Sequence, residues 1–565
     1  MPSPPFEAGP RALPRHGVFT LSTQLSSLLE RLRGPAAARR FGRLRRGIEK
    51  EGLRVDDRGV IAATFHPRAL GSKLTHPHIT TDYSEALLEY ITPVYSRPDE
   101  ALEFLADLHR YTYRHLDGEW IWPASMPSRL NGNDSVPIAD YGSSNVGTMK
   151  HVYRRGLDAR YGRIMQSIAG IHYNVSLPDD LWTLLQTLDE QEQVSMGEYR
   201  SSRYFGLIRN FRRHSWLLLY LFGASPAVDD SFLDDGEIPE GLERLGERTL
   251  VSRYATSLRM SDLGYQNKVQ DQLKICFNSL SNYVNTLRHA IATGWPDYEA
   301  LGVRDDDSWR QLNANILQIE NEYYSDIRPK RVTRHDETPS QALEARGVEY
   351  IEVRCLDIDP FATLGIDAAQ TRFLDTFLVW CLLSDSPWIS DEECDHLDDN
   401  RRLVVERGRE PGLELNDRGN RRGLVDWSRA IVAEMREVAA LLDQLEDGSP
   451  HQQAVDAIAP RIDDPSLTPS ARVLARLEDN GEEFVEAMVA IAREQAAALA
   501  DEPLNRCRAS MLEDLVETSH QQQREIEASD TSDFAQFLSD YFSRARETRA
   551  LAPTDQPTHS GESLK

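Results

Sequence analysis

The hydrophobic pattern changes character about two thirds of the way along the chain. Before about residue 365, short segments such as 47–55, 170–177 and 348–356 alternate apolar and polar residues, which favours β-strands. Beyond that point, apolar residues recur at helical spacing almost without interruption. Strands that precede a long run of helices predict an α+β fold with an antiparallel sheet and a helical C-terminal third.

Composition excludes several classes of protein. The chain has 565 residues, of which 40% are hydrophobic, enough for a large core. The longest apolar stretch, 216–228, is too short to span a bilayer, and no secretory signal pattern follows the first residue. We therefore expect a cytoplasmic protein that does not enter a membrane. Five scattered cysteines without a CxxC motif argue against a disulfide scaffold or a zinc ribbon.

Acidic residues outnumber basic ones by 90 to 64, which gives a net charge of −26. Wholesale nucleic-acid binding is excluded, because a phosphate backbone attracts the opposite sign. Two explanations of the acidity remain open. One is a GC-rich genome, since the basic residues are mostly arginine. The other is adaptation to a salty cytoplasm, where an acidic surface keeps a protein soluble.

Common nucleotide, metalloprotease and esterase motifs are absent from the sequence. It contains no GxxxxGK[ST] loop, no HExxH and no GxGxxG after a predicted strand. The segment 223–227 resembles a nucleophile elbow superficially, but it lacks the final glycine. If ATP is a substrate, a P-loop does not hold it.

Glutamates occur in pairs within predicted strands. Three pairs lie two or four residues apart, which places both members on one strand face: Glu49 with Glu51, Glu85 with Glu89, and Glu320 with Glu322. Neighbouring carboxylates repel each other unless a cation lies between them. One such pair is more typical of a solvated strand face. Three pairs flanked by apolar residues favour Mg²⁺ or Mn²⁺, which bind carboxylates together with substrate phosphates.

Basic residues that can clamp phosphoryl oxygens accompany these acids. They are Arg259, Arg328, Lys330, Arg331 and Arg354. Arg354 comes two positions after Glu352, which places both side chains on the same strand face. His172 lies between apolar neighbours in a predicted strand, which is more typical of a core histidine than of a ligand. Anionic metal ligands and cationic donors are the parts that metal-dependent phosphoryl transfer needs.

Eight segments carry a resemblance to a known family, in collinear order over roughly residues 40–540: 47–55, 69–93, 122–127, 168–178, 220–227, 255–268, 317–331 and 351–361. Through them the chain resembles the glutamate–cysteine ligases of the proteobacterial type, also called γ-glutamylcysteine synthetases. The resemblance implies a glutamine-synthetase-like antiparallel sheet curled into a funnel and backed by helices. It also implies the reaction of ATP, L-glutamate and L-cysteine to γ-glutamylcysteine, ADP and phosphate through γ-glutamyl phosphate, which is the first step of glutathione biosynthesis.

The same resemblance assigns roles to individual residues. Metal ligands are implied at Glu49, Glu51, Asp82, Glu89, His172 and Glu352, so that His172 becomes a ligand or its neighbour on this ground alone. Catalytic arginines are implied at Arg259 and Arg354. Residues implied at the glutamate site are Tyr153 and Arg154, and those implied for the cysteine pocket are Tyr83, Leu157, Gln166, Tyr265 and Tyr324.

These expectations complete a prediction of domains and partners. We predict a flexible leader over 1–30, a catalytic domain over 31–400, a helical part packed on it over 401–550, and a disordered tail over 551–565. The expected ligands are ATP, glutamate, cysteine and Mg²⁺ or Mn²⁺, and the expected state is a monomer. Two alternatives stay open: a ligase of the same fold with a different amine acceptor, and a non-catalytic acidic protein that binds divalent cations.

Overall fold

The computed structural model describes residues 23–233, 237–264, 273, 275–306, 308–334 and 337–546. Its strands are β1 (Arg45–Val55), β2 (Ile79–Thr81), β3 (Leu87–Ile91), β4 (Trp120–Ile121), β5 (Ile171–Ser176), β6 (Ala227–Asp229), β7 (Glu243–Arg244), β8 (Thr249–Val251), β9 (Arg304–Asp305), β10 (Ser308–Trp309), β11 (Ile327–Lys330), β12 (Tyr350–Leu356), β13 (Glu414–Asp417) and β14 (Asn420–Gly423). Its α-helices are α1 (Thr23–Leu32), α2 (Pro35–Phe41), α3 (Pro98–Tyr113), α4 (Asn145–Tyr161), α5 (Asp179–Leu188), α6 (Met196–Phe222), α7 (Leu280–Ala292), α8 (Pro296–Leu301), α9 (Pro339–Arg346), α10 (Ala368–Leu383), α11 (Asp391–Arg407), α12 (Leu424–Leu442), α13 (Pro450–Ile458), α14 (Pro460–Asp463), α15 (Pro469–Asn480), α16 (Phe484–Ala500), α17 (Arg506–Ser529) and α18 (Phe534–Arg546).

A seven-stranded sheet organises the first two thirds of the chain. Its strands lie in the order β11–β12–β5–β1–β3–β2, and β4 pairs with the C-terminal end of β1. All these pairings are antiparallel. The predicted strands at 47–55, 170–177 and 348–356 are confirmed as β1, β5 and β12, which lie close together in the sheet. Antiparallel strands followed by helices confirm the α+β class.

Alternation along the strands gives the sheet two chemically different faces. One face is apolar and packs inward, as the burial of Ile48 and Ile351 shows. A buried ion pair ties this face to α10: Arg46 Nε lies 2.6 Å from Asp375 Oδ2, and Tyr173 donates its hydroxyl to Asp375 Oδ1 at 2.9 Å. Removing one partner of such a pair would leave an uncompensated buried charge in the interface between the sheet and the helix. The opposite face carries the acidic side chains.

The helical C-terminal third is confirmed as well. Helices α12 and α13 pack on α10, which itself packs on α6. A hydrophobic core runs from Leu25 through the sheet and these helices to Ala545. This one core includes residues of both predicted parts, 31–400 and 401–550. The boundary between the two parts stays a prediction. No helix in the described part of the chain is long and apolar enough to cross a membrane.

Two expectations about local structure need correction. Helix α1 begins at Thr23, inside the segment predicted as a leader, and its Leu25 and Leu29 side chains are buried. Residues 320–322, expected in a strand, form a short 3₁₀ helix. The rest of the predicted leader, 1–22, and the predicted tail, 551–565, lie outside the described residues.

Candidate active site

Three strands bring two carboxylates and an imidazole together on the polar face of the sheet. Glu49 on β1, His172 on β5 and Glu352 on β12 each offer a donor atom, and these atoms all lie within 4.8 Å of one another. His172 Nδ1 is 3.1 Å from Glu49 Oε2 and 4.0 Å from Glu352 Oε1. The three donors thus surround one small volume.

Strand register explains why these residues meet. β1 pairs with β5 so that Glu49 lies opposite His172, and β12 pairs with β5 so that Glu352 lies opposite Asn174. Residues opposite each other in an antiparallel pair have side chains on one face, with Cβ atoms about 4.5–5.5 Å apart. Residues two apart share a face, so the polar face continues from Glu352 to Arg354.

A second group of acids adjoins the first. Glu51 lies opposite Glu89 in the β1–β3 pair, and Asp82 directly follows β2. Burial raises the pKa of both glutamates, and the neighbouring carboxylates raise the two values further. Gly170 donates its N–H to Glu51 Oε2 at 2.6 Å, while Glu51 Oε1 is 3.8 Å from His172 Nε2. Like charges at this density need a proton or a cation between them.

Neighbouring side chains lower the pKa of two of the acids. Burial by itself would raise the pKa of Glu352, but Lys330, Arg354 and His172 outweigh it and hold that pKa well below its usual range. Glu352 Oε1 is 3.3 Å from Lys330 Nζ, and its Oε2 is 3.2 Å from Arg354 Nη1. Burial likewise acts to raise the pKa of Glu49, and the hydrogen bond with His172 lowers it. Glu49 and Glu352 are therefore anionic donors.

Two further arginines lie beside Arg354. Arg259 Nη2 donates to the carbonyl oxygen of Arg354 at 2.9 Å, and Arg328 lies opposite Glu352 in the β11–β12 pair. Burial acts to lower the pKa of Arg354, but Glu352 and Glu51 raise it above its ordinary value. The same face of the sheet thus presents acids for a cation and guanidinium groups for anions.

The donor set fits a hard divalent cation. Two ionised carboxylates and an imidazole lie within reach of one point, and an amide oxygen adjoins them. That oxygen, Asn174 Oδ1, is buried and has no hydrogen-bond partner among the described residues. Magnesium and manganese are bound by oxygen donors of this kind, often in combination with substrate phosphates. Ligation by Glu51, Asp82 or Glu89 stays a prediction.

Comparison with known proteins places the chain in a family. A family model described as glutamate–cysteine ligase matches residues 29–404. The glutamate–cysteine ligase of Pseudomonas putida is 50% identical over 495 residues, covering 88% of this chain and 94% of the relative. That of Hahella chejuensis is 50% identical over 529 residues, covering 92% and 99%. The chain belongs to the glutamate–cysteine ligase family. It is therefore an enzyme, a ligase, and the resemblance carried by the eight sequence segments is confirmed.

Solved structures of similar proteins agree with this membership. A glutamate–cysteine ligase from Francisella tularensis, crystallised in complex with AMP, is 36% identical with a TM-score of 0.84, covering 89% of this chain and 98% of that one. A bifunctional glutathione synthetase from Pasteurella multocida is 25% identical with a TM-score of 0.66, and the match covers 84% of this chain and 55% of that one. The fold of the ligase family thus extends over most of the chain.

Two residues expected in the amino-acid pocket contact segments that adjoin the acids and arginines of the site. Tyr324 donates its hydroxyl to Met260 Sδ at 2.9 Å, and burial raises its pKa to about 12. Arg154 on α4 donates its Nε–H to the carbonyl oxygen of Asp82 at 2.5 Å. Tyr153, its neighbour on α4, is half-buried, and burial raises its pKa. Tyr324 thus lies against the turn that bears Arg259, and Arg154 lies against Asp82. The binding roles of all three residues stay predictions.

Other expected pocket residues lie further into the structure or outside the described part. Tyr83 is buried, with 2% of its surface exposed, and burial raises its pKa. Leu157 on α4 is buried in the main hydrophobic core. Gln166 is half-buried in a 3₁₀ turn over 165–167. Tyr265 lies outside the described residues.

Arg331 does not join the other phosphate candidates. Its Nη1 donates to the carbonyl oxygen of Arg346 at 2.9 Å, and its Nε is 3.4 Å from Glu349 Oε2. Alternation along the chain explains the difference, because Lys330 immediately before it faces Glu352 instead.

Three members of the predicted glutamate pairs, Glu85, Glu320 and Glu322, form structural contacts away from the Glu49–His172–Glu352 cluster. Glu85 is paired with Lys73 and accepts a hydrogen bond from the Asp140 N–H at 2.8 Å. Glu320 accepts the Ser340 N–H at 2.7 Å, at the N-terminus of α9. Glu322 forms a buried ion pair with an arginine of α4 at 3.0 Å. Their two- and four-residue spacings reflect separate structural contacts.

Asn174 is the functional candidate that the sequence reasoning missed. Its Nδ2 donates to Glu49 Oε1 at 2.9 Å, and it lies opposite Glu352. Its two-residue spacing from His172 in β5 was the available signal, since it places both side chains on one face.

Proposed function

We propose that this chain joins the γ-carboxylate of L-glutamate to the amine of L-cysteine at the expense of ATP, through γ-glutamyl phosphate. The observation that carries the proposal is the Glu49–His172–Glu352 cluster, flanked by Arg354 and Lys330, in a chain half-identical to glutamate–cysteine ligases. Such a reaction brings ATP and two amino acids together, all of them anionic at some group. The reaction therefore needs acidic side chains that hold a cation and positively charged side chains that offset the charge of the phosphate groups.

In this proposal the cluster residues hold Mg²⁺ or Mn²⁺. Glu49, Glu352 and His172 supply the nearest donors, with Glu51, Asp82 and Glu89 as further ligands. When bound, the ion neutralises phosphate charge and makes the γ-phosphorus easier to attack.

The arginines act on the transferred phosphoryl group. Arg354 offers a planar fork that can hold two phosphoryl oxygens while charge moves toward the leaving ADP. Arg259 and Arg328 add positive charge beside it, and Lys330 neutralises Glu352 from the other side. Their fixed positions on β11, β12 and an adjoining turn mean that little reorganisation is needed at the moment of transfer.

The second half-reaction needs no covalent group from the protein. The cysteine amine attacks the acyl carbon of γ-glutamyl phosphate, and the C–O bond to phosphate breaks. We place the cysteine beside Tyr83 and Tyr324, and the glutamate beside Tyr153 and Arg154. The sheet, curled as in glutamine synthetase, would separate this side from the nucleotide side.

The proposal is tested by following ADP release with glutamate fixed and the amine varied. We expect release to require both amino acids, and mass spectrometry to identify γ-glutamylcysteine. A pocket of tyrosines and apolar groups gains little from a thiol over a methyl group, so 2-aminobutyrate should also react, roughly tenfold to a hundredfold less efficiently than cysteine. A preference for ammonia or for a much larger amine would contradict the assignment of cysteine. Cation binding without any ADP release would favour a non-catalytic protein.

A further inference from the structure

The glycine-, serine- and proline-containing segment 223–227 lies behind the arginines of the site, although it is no nucleophile elbow. It connects α6 to β6 and surrounds the carboxylate of Asp357, the residue that follows β12. We propose that Asp357, held by this segment, is a positioning residue that fixes the guanidinium of Arg259 for phosphoryl transfer. The inference rests on the proposed function, because it assigns Arg259 a partner in that reaction.

Asp357 is buried, and both of its oxygens are occupied. Oδ2 accepts the Ala224 N–H at 2.9 Å and the Ser225 hydroxyl at 2.8 Å. Oδ1 accepts the Ser257 hydroxyl at 2.9 Å and lies 3.7 Å from Arg259 Nη1. Two separate segments of the chain, 224–225 and 257–259, therefore meet on the carboxylate of Asp357, and the second segment carries the arginine.

The backbone around Asp357 is built for this close approach. Ser225 and Ser257 form an isolated parallel bridge, in which Leu258 donates its N–H to the Ser225 carbonyl oxygen at 2.7 Å. A Cβ at Gly223 would overlap the carbonyl oxygen of Thr256, so only glycine lets the two segments lie this close. The turn over 258–260 that bears Arg259 is thus anchored immediately before the arginine.

The far end of Arg259 contacts the backbone of β12. Its Nη2 donates to the carbonyl oxygen of Arg354 at 2.9 Å, and a Cβ at Gly170 would overlap its guanidinium. Gly170 is also the residue whose N–H donates to Glu51. The Arg259 guanidinium therefore lies against Gly170, the residue that precedes β5, and against the backbone of β12, with Asp357 Oδ1 3.7 Å from its Nη1.

Replacing Asp357 by asparagine tests the role of its charge, because the amide has nearly the same shape as the carboxylate but is neutral. Asp357→Asn can keep the hydrogen bonds from Ala224 and Ser225 through its carbonyl oxygen, but it loses the negative charge beside Arg259. We expect kcat to fall about tenfold to a hundredfold, since misplacing a positioned group by about 1 Å has effects of that size. The KM values for ATP and glutamate should change by less than about threefold, because the arginine is assigned to the transition state.

A double-mutant cycle with Arg259→Lys tests whether Asp357 acts through Arg259. Residues that act as a unit are strongly non-additive, so Asp357→Asn in the Arg259→Lys background should lower kcat by less than about threefold. Asp375→Asn is the matched control, because it also removes a buried carboxylate from an arginine but lies on the opposite face of the sheet. It should lower the melting temperature and combine additively with Arg259→Lys.

Each outcome decides the inference. A cycle that is additive for Asp357→Asn, or a normal kcat in that variant, would overturn it while leaving the ligase activity of the unaltered protein in place. Absence of amino-acid-dependent ADP release from the unaltered protein would overturn the proposed function and the inference together. Should Asp357→Asn not fold, the combined variant Ser225→Ala and Ser257→Ala loosens the carboxylate without removing its charge. We expect the effect of this combined variant on kcat to be non-additive with that of Arg259→Lys as well. Additive effects would overturn the inference.

Discussion

Replacement of Glu352 by glutamine is expected to lower the rate of ADP release by about a thousandfold while the protein stays folded. Glu352 is 1% exposed and lies within 4.0 Å of Lys330, Arg354 and His172. It therefore links the metal-ligand cluster to the positively charged side chains. The amide keeps the shape of the side chain but removes one anionic donor. The affinity for Mn²⁺, measured by electron paramagnetic resonance, should fall together with the rate.

Glu320→Gln is the matched control for this experiment. Glu320 is also buried, but it bonds to Ser340 at the start of α9 and lies outside the cluster. We expect near-normal turnover and Mn²⁺ binding in this variant, with some loss of thermal stability. Normal turnover of Glu352→Gln at limiting Mg²⁺ would contradict the metal site.

Replacement of Arg354 by lysine should lower kcat by on the order of 10²–10³, and much more than it raises the KM for glutamate. Lysine keeps the charge next to Glu352 but loses the planar fork that can hold two phosphoryl oxygens. If Arg354 merely neutralises Glu352, the lysine variant will instead be nearly silent, and Arg354→Met will mainly lower the melting temperature.

Arg213→Lys serves as the control for a buried arginine outside the site. Arg213 lies on α6 and pairs with Glu393 at 2.6 Å, so its loss should affect stability and leave kcat nearly unchanged. Measurement of kcat, KM and melting temperature for all of these variants separates the two roles. A kcat for Arg354→Lys within about threefold of the unaltered protein would refute the phosphoryl contact, whose expected loss is far larger.

The sequence predicted the parts of the site that depend on local alternation. Glu49 and Glu51, or Glu352 and Arg354, share a face because a strand has a period of two residues, and β1 and β12 form as expected. That Glu49 lies opposite His172 depends on pairing between strands more than a hundred residues apart. Spacing along the chain contains no such information. For His172 it favoured a core histidine over a metal ligand, and only the resemblance implied the ligand.

Tertiary hydrogen bonds explain the failures. Glu320 and Glu322 have the same spacing as Glu49 and Glu51, yet the N-terminus of α9 and an arginine of α4 bind them in different directions. A helix N-terminus carries partial positive charge and attracts a carboxylate, which competes with strand formation. Asp357 was overlooked for the converse reason, since its partners at 224, 225, 257 and 259 are distant in sequence.

The most direct test of the central claim follows oxygen from glutamate. Glutamate labelled with ¹⁸O in its γ-carboxylate is incubated with ATP, cysteine and Mg²⁺, and the released phosphate is analysed by mass spectrometry. If the γ-carboxylate attacks the γ-phosphorus, the C–O bond that breaks later leaves one labelled oxygen on each phosphate formed. Phosphate carrying no label, released together with γ-glutamylcysteine, would contradict the acyl-phosphate mechanism proposed for this site.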